Sequence, residues 1–394
     1  MPKKTVRDLG DIAGAHVFVR VDYNVPLENG AITDDTRIRA SFPTLEALLK
    51  AKARIVLASH LGRPKKGPTQ EFSLKPVAER LTELTGRPVK MAPDCVGSEV
   101  KALAAGLGDS GILLLENVRF HPEEEKNDPA FAARLIADTG VTIFVNDAFG
   151  SAHRAHASTE GVSHHVKTSV AGLLMEKEIK YLGMALGEPE RPYVAVLGGA
   201  KVSDKIEVIE SLLPKVDQLL IGGGMAYTFF RAQGFPTAKS LVEEDKLELA
   251  KKLLAEGGSK LLLPVDHVVA SAFRADAETQ TLPAHEIPDG WMGLDIGPTT
   301  RIVFGGAVRS AALAVWNGPM GVFEMEPFAE GTLAVARAMA NCKGTSIVGG
   351  GDSVAACTQM KLADDIDHVS TGGGASLEFL SGQPLPGVAC LQDA

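Results

Sequence analysis

The stretch VFVRVDYNVP, residues 17–26, begins as a strand and ends as something else. Val17, Val19 and Val21 alternate with Phe18, Arg20, Asp22 and Asn24, the two-residue period of an extended chain with two different faces. One face turns polar toward its end, and Pro26, which has no N–H to donate, stops the ladder. The neighbouring runs behave alike: RIVLASHLGRP (54–64), GILLLENVRF (111–120) and VTIFVNDAFGSAHRAH (141–156) are apolar first and polar or basic last. Between them FPTLEALLKAKA (42–53) and LKPVAERLTELTG (74–86) repeat apolar residues at three- and four-residue spacing, as helices do. Alternating strand and helix predicts a parallel, doubly wound α/β sheet, whose ligands bind beyond the carboxyl ends of the strands. The residues there are Asp22 and Asn24, then Arg37, His60 and Arg63, Arg119 and His121, and His153, Arg154 and His156. Guanidinium is a planar fork that fits phosphate and carboxylate, so a small polyanion is the expected ligand of this half.

A second half repeats the alternation with different endings. YVAVLGGAKVSDKIEVIESLL (193–213), DQLLIGGGMAYTFF (217–230), SKLLLPVDHVV (259–269), AALAVWNGPMGVFE (311–324), GTSIVGGGDSVAAC (344–357) and DHVSTGGGASLEFL (367–380) run into glycines instead of arginines. Without a Cβ, backbone N–H groups can approach a ligand closely, and a helix that starts there adds its positive dipole end. A nucleotide is the expected ligand. Neither GxxxxGK[ST] nor a strand-linked GxGxxG occurs, and protein-kinase signatures are missing, so any phosphate site is of another type. Between the halves AGLLMEKEIKYLGMALGEPERP (171–192) reads as one helix, with a Glu176–Lys180 pair four apart, ending in a proline-punctuated joint. The boundaries drawn from these shifts are 1–171 for the first domain, 172–190 for a helix and hinge, and 191–375 for the second.

The totals agree with this plan. A chain of 394 residues exceeds what one core usually supports. A net charge of −9 argues against general nucleic-acid binding, so any anion must be held by local clusters. No apolar run approaches the ~18 residues of a membrane span, and MPKKTVRDLGDIAG has no apolar leader segment, which points to the cytoplasm. Cys95, Cys342, Cys357 and Cys390 lack metal or redox spacing and read as buried thiols. His164, His165, His267 and His285 read as surface or structural, and HPEEEKND (121–128) as a solvated loop.

Taken in order, RVDYNVP, DTRI, SHLGRP, LLLENVRF, NDAFGSAHRAHAS, VLGGAKVSDKI, IGGGMAYTF, LDIGP, WNGPMGVFE, GGGDSVAA and STGGGAS resemble the motifs of the phosphoglycerate kinases over essentially the whole chain. The resemblance implies two Rossmann-like domains joined by a helix and hinge, with the tail 376–394 returning to the first. It implies a monomeric glycolytic enzyme that transfers a phosphoryl group directly, in line, between 1,3-bisphosphoglycerate and ADP, giving 3-phosphoglycerate and MgATP. Carried over residue by residue, Asp22, Asn24, Arg37, His60, Arg63, Arg119 and Arg154 would hold the glycerate. Lys201, Gly293, Glu324, Gly350, Gly351, Asp352 and Ser353 would hold the nucleotide, with Asp352 the partner of Mg²⁺ and Glu324 taking the ribose hydroxyls. Arg37 and Lys205 would reach the moving phosphoryl from opposite sides. The N–H groups of Gly372, Gly373 and Gly374 would cradle it. Lys201 and Lys205, if helical, would share a face. A dehydrogenase would need the dinucleotide fingerprint that the first strand lacks. A non-catalytic anion-binding protein would not need an anion site in each half.

Overall fold

The opening stretch forms the strand His16–Arg20 inside a six-stranded sheet. The strand order is Val89–Met91, Ile112–Leu114, Arg54–Ala58, His16–Arg20, Ile143–Asn146, Thr168–Ala171, and every pairing is parallel. Both faces are covered. Val17, Val19, Ile55, Leu57, Ile112, Leu114 and Val145 pack into one core, while Phe18, Val56, Leu113 and Phe144 are buried on the reverse face. The two-residue period therefore separates two buried faces, and the polar residues are confined to the strand exit. Even Arg20 is buried, at 1% exposure. The sheet order reverses between His16–Arg20 and Ile143–Asn146, which opens a crevice at their carboxyl ends.

The computed structural model describes residues 2–65 and 67–394. The chain divides into two units, one running to Lys180 and completed by Pro384–Ala394, the other Tyr181–Gln383. The division falls inside the helix Leu173–Leu186, within the stretch 172–190 drawn from the sequence as helix and hinge. The return to the first unit begins at Pro384, not at 376. The helix Gly374–Leu380 packs on Ile206–Leu212, and Gln383 Nε2 donates to Glu207 Oε2 at 2.6 Å, both within the second unit. Beyond Pro384 the tail is tied down by Asn146 Nδ2 donating to the Gly387 carbonyl at 2.8 Å and by a Lys3–Asp393 ion pair at 2.8 Å. Glu176, expected to pair along its own helix, is engaged by Arg7.

In the second unit six parallel strands lie in the order Leu261–Leu262, Gln218–Ile221, Tyr193–Leu197, Leu313–Asn317, Thr345–Gly349, His368–Val369. The order again reverses beside the first strand of the unit, here between Tyr193–Leu197 and Leu313–Asn317. The run SKLLLPVDHVV does not act as one strand of this sheet. Leu261–Leu262 forms its edge, whereas Asp266–Ala270 turns into a separate antiparallel sheet with Thr279–Pro283 and Met292–Ile296.

The helices carry ordinary start and stop signals. Pro129–Thr139 begins with Asp128 accepting the Phe131 N–H at 2.8 Å and ends at Gly140 with φ 65°. Its buried face is Phe131, Ala132, Leu135 and Ile136, the three- and four-residue spacing of an amphipathic helix. All four cysteines are unpaired thiols. Burial pushes all four up, Cys357 to about 12 and Cys390 to about 11. Among the described residues no helix is long and apolar enough to cross a membrane.

Candidate active site

In the first unit the strand exits converge on one cationic neighbourhood. Arg37, half-exposed on the short helix Thr36–Ala40, pairs with Asp22 Oδ1 at 3.1 Å. Asn24 Oδ1 accepts the Gly62 N–H at 2.8 Å, and Arg119 Nη1 donates to the Gly62 carbonyl at 2.7 Å. The turn after Arg54–Ala58 is thereby held between two predicted ligand residues. Arg63 and Arg154 are exposed. Burial depresses the His60 imidazole far below its usual range, and the Arg20, Arg119 and Arg37 charges add to this. His156 is likewise lowered to about 4, by burial and by Arg20, Arg119, Arg154 and His153. The same groups thus act on one another, which ties the predicted substrate residues into a single patch. Burial would raise Asp22, but His60, Arg37 and Arg20 outweigh it and hold the carboxyl below the usual range, with the two arginines the permanent cations.

Arg20 is the residue that sequence reasoning left out. Its Nε donates to Ser158 Oγ at 2.8 Å, and Ser158 Oγ donates to Glu124 Oε1 at 2.6 Å. Glu124 Oε2 also accepts the Ser158 N–H at 2.9 Å. Glu124 is fully buried, so the run HPEEEKND is not a solvated loop throughout. One of its glutamates is the internal counterion of a buried arginine. Burial disfavours the charge on both, lowering Arg20 and raising Glu124, while each partly restores the other. Arg20 Nη2 lies 3.2 Å from His60 Nδ1. Because guanidinium can only donate, His60 Nδ1 accepts, and the neutral ring carries its proton on Nε2. His121 lies elsewhere, its Nε2 2.6 Å from Asp94 Oδ1 and its ring stacked on Phe131.

The second unit holds a pocket of about 480 Å³ at its switch point. Gly199, Gly223, Gly293, Pro319, Gly321, Glu324 and Asp352 line it, so three predicted nucleotide residues share one cavity. Tyr227, His267 and Asp295 line it too and were not foreseen. Tyr227 Oη lies 2.9 Å from His267 Nδ1, and His267 Nε2 lies 2.8 Å from the Glu286 carbonyl. Asp295 is raised to about 7 by burial, against the lowering effect of Gly331 N–H and Arg301. A single leucine–aspartate–isoleucine run gives no sign that its carboxylate is interior.

The glycines serve two purposes. A Cβ on Gly198 would fall 2.2 Å from the Pro319 carbonyl, and one on Gly318 2.2 Å from the Gly198 carbonyl. These residues are glycine because two turns pack backbone to backbone. Gly351, Gly373 and Gly374 have nothing within 4 Å of that position and leave their backbone open to a ligand. Gly350, at φ 87°, precedes the helix Gly351–Gln359, whose first turn carries exposed Asp352. Gly373, at φ 51°, precedes Gly374–Leu380. Gly293 lies against Tyr227, whose Oη would be 1.5 Å from an added Cβ. Ser353 is fully buried, and its Oγ accepts the Gly318 N–H at 2.6 Å, so its hydroxyl holds the turn.

Lys201 and Lys205 do not share a helix face. Lys201 is exposed in the loop, whereas Lys205 is the buried residue that precedes the helix Ile206–Leu212. Lys205 Nζ donates to Asn317 Oδ1 at 2.5 Å. Burial lowers its ammonium to about 8, opposed by Asp204 and Asp352.

A profile of the phosphoglycerate kinase family matches residues 6–383. The chain is 59% identical over 398 residues to phosphoglycerate kinase of Moorella thermoacetica, covering all of both proteins. It is 59% identical over 403 residues to the cytosolic phosphoglycerate kinase of Triticum aestivum, covering 100% of this chain and 99% of that one. The solved structure of phosphoglycerate kinase from Coxiella burnetii superposes with a TM-score of 0.89 at 40% identity, over 99% of this chain and 98% of that one.

Proposed function

The chain belongs to the phosphoglycerate kinase family, and from that premise we propose how its two units divide the reaction. The enzyme is a glycolytic kinase that moves a phosphoryl group between 1,3-bisphosphoglycerate and ADP. The first unit binds the glycerate. Arg63, Arg119 and Arg154 meet its phosphate and carboxylate, Asp22 and Asn24 its hydroxyl and carboxyl ends, and His60 offers Nε2–H. The supporting observation is that burial depresses both imidazoles and that arginines add to it, Arg20, Arg119 and Arg37 on His60 and Arg20, Arg119 and Arg154 on His156. A ligand with several negative charges complements such a patch, and a neutral one does not.

The nucleotide takes the pocket of the second unit, with Gly293 beneath the base, Glu324 on the ribose, and Lys201 and the Gly350–Ser353 turn at the phosphates. Ser353 acts there through its hold on Gly318. The donor set suits Mg²⁺, which takes one or two carboxylates with phosphate oxygens and waters; Asp352 supplies the carboxylate. When bound, the ion neutralises charge on the phosphates. Arg37 and Lys205 stabilise the moving phosphoryl from the two substrates' sides, and the open N–H groups of Gly373 and Gly374 receive its oxygens, while that of Gly372, expected to join them, is given to Ser370 Oγ at 3.1 Å and holds the turn. Lys205 is a cation for this purpose only below its depressed pKa of about 8.

Transfer is direct. Among the described residues neither unit sets an activated nucleophile beside its anion site, and positioning plus charge stabilisation suffices for phosphoryl transfer. Since each substrate belongs to its own unit, transfer at ~3–3.5 Å with water excluded requires closure, with the helix from Gly172 to Gly187 and the Pro189–Pro192 joint as the hinge. The enzyme works as a cytoplasmic monomer. A donor made chiral at the transferred phosphorus tests the direct route. One inversion is expected, and net retention would establish a phosphoenzyme instead.

A further inference from the structure

Asp147 immediately follows the strand Ile143–Asn146, and no step above uses it. It is fully buried, and its N–H donates to the Arg20 carbonyl at 2.8 Å. Its Oδ1 accepts two N–H groups from the first turn of the connecting helix, Leu174 at 3.0 Å and Met175 at 3.1 Å. The preceding N–H, of Leu173, goes to Thr44 Oγ1 at 2.7 Å. A helix usually satisfies its first N–H groups from its own flanking residue. Here three of them are taken by side chains from two other elements. A Cβ on Gly172 would lie 2.0 Å from Asp147 Oδ1, so the chain can pass only as glycine.

The elements that grip this helix also carry the substrate residues. Thr44 lies on Phe42–Lys50, directly after the short helix bearing Arg37. Ser41, between the two helices, has its Oγ 2.8 Å from Tyr23 Oη, and Tyr23 stands between Asp22 and Asn24. We propose that Asp147, with Thr44, is a positioning residue that locks the start of the connecting helix to the frame holding Arg37 and Asp22, so that any bending on closure falls beyond the helix's first turn. This rests on the closure reading given above and narrows it, because it removes Gly172 and the first helical turn from the hinge.

The carboxylate is an expensive way to cap a helix. Burial raises Asp147 to about 6, against the lowering by Thr44, Met175 and Leu174, and its Oδ2 has no hydrogen-bond partner among the described residues. Tyr23 faces it from the first strand's exit and, itself pushed up by burial, stays neutral. Its other neighbours are the Thr44 hydroxyl and the helix N–H groups. A carboxyl raised above its unfolded value binds more protons when folded, so it lowers stability as pH rises from about 4 to about 6. An asparagine of the same shape escapes that cost but gives up the anion at the positive end of the helix.

Asp147→Asn separates a cap that merely stabilises from a residue that positions. Its Tm at pH 8 should equal or exceed that of the unaltered enzyme, with the difference vanishing near pH 4. Hydrogen exchange at Leu174 and Met175 should nevertheless quicken. Turnover should fall about tenfold with the KM for 3-phosphoglycerate within about twofold, the split expected when ground-state binding is spared. Compaction in small-angle scattering with both substrates bound should shrink. A folded variant with unaltered exchange, turnover and compaction overturns the proposal. Thr44→Val attacks the same turn from the other side and decides the matter alike should the first variant not fold. If the unaltered enzyme itself fails to compact with both substrates, the closure reading falls, whatever the variants do.

Discussion

The first unit meets its ligand with side-chain charge and the second with bare backbone, although both are six-stranded parallel sheets whose order reverses beside their first strand. The two solutions need different support. Guanidinium groups crowded at strand exits repel one another, and the unit answers with an interior counterion, Arg20 to Ser158 to Glu124. Backbone N–H groups need no counterion but do need empty space, which the unit leaves at Gly351, Gly373 and Gly374 while packing its turns so closely that no Cβ is admitted at Gly198 or Gly318. One site is therefore vulnerable to the loss of a charge. The other is vulnerable to the gain of a methyl group.

Arg37→Ala should test the charged half most severely. Loss of a cation from the moving phosphoryl is expected to cut kcat by ~10³ to 10⁵ while ADP affinity stays nearly unchanged. Arg37→Lys should recover little, because a point charge does not reproduce the fork. An alanine variant within a few-fold of the parent would remove Arg37 from the reaction. Next in size, Glu124→Ala strands a buried guanidinium and should destabilise the protein by about 3–5 kcal/mol in urea denaturation, with kcat per folded molecule much less affected. A loss below 1 kcal/mol would mean that Arg20 needs no interior partner. The smallest effect is expected in the glycine half. Gly293→Ala drives a methyl into Tyr227, an overpacking cost of about 1–3 kcal/mol, and calorimetry should show weaker ADP binding with 3-phosphoglycerate binding intact. Equal weakening of both ligands would break the division between the units.

What the sequence displayed was periodicity and chemistry at strand ends. His16–Arg20, Arg54–Ala58, Ile112–Leu114 and Ile143–Asn146 follow from their β-branched and leucine runs, and the arginine and glycine exits from what comes after them. Val89–Met91 was not legible, being three residues around an exposed lysine. Nor was the antiparallel excursion of Asp266–Ala270, since a two-residue period is the same whichever way the neighbour runs. Glu124 was hidden by its company: three successive glutamates look solvated, and only the approach of Ser158 and Arg20 from distant parts of the chain singles one out. Lys201 and Lys205 were spaced as helix neighbours, yet the helix starts only after Lys205, so one stays in water and the other goes under. Ser353 was carried over as a nucleotide residue from the resemblance of its motif, GGGDSVAA. Its burial is set by Gly318, thirty-five positions away in sequence.

The four thiols described with the fold have a practical consequence. Only Cys95 and Cys357 are fully enclosed, with Cys342 and Cys390 half-buried, but burial pushes all four up and so favours the protonated form at neutral pH. The native cysteines therefore present a quiet background to maleimides and other thiolate-seeking labels. A cysteine introduced on an exposed helix of either unit would stand out against it, which suits this chain to paired spin or fluorophore labelling without first stripping out its own sulfur.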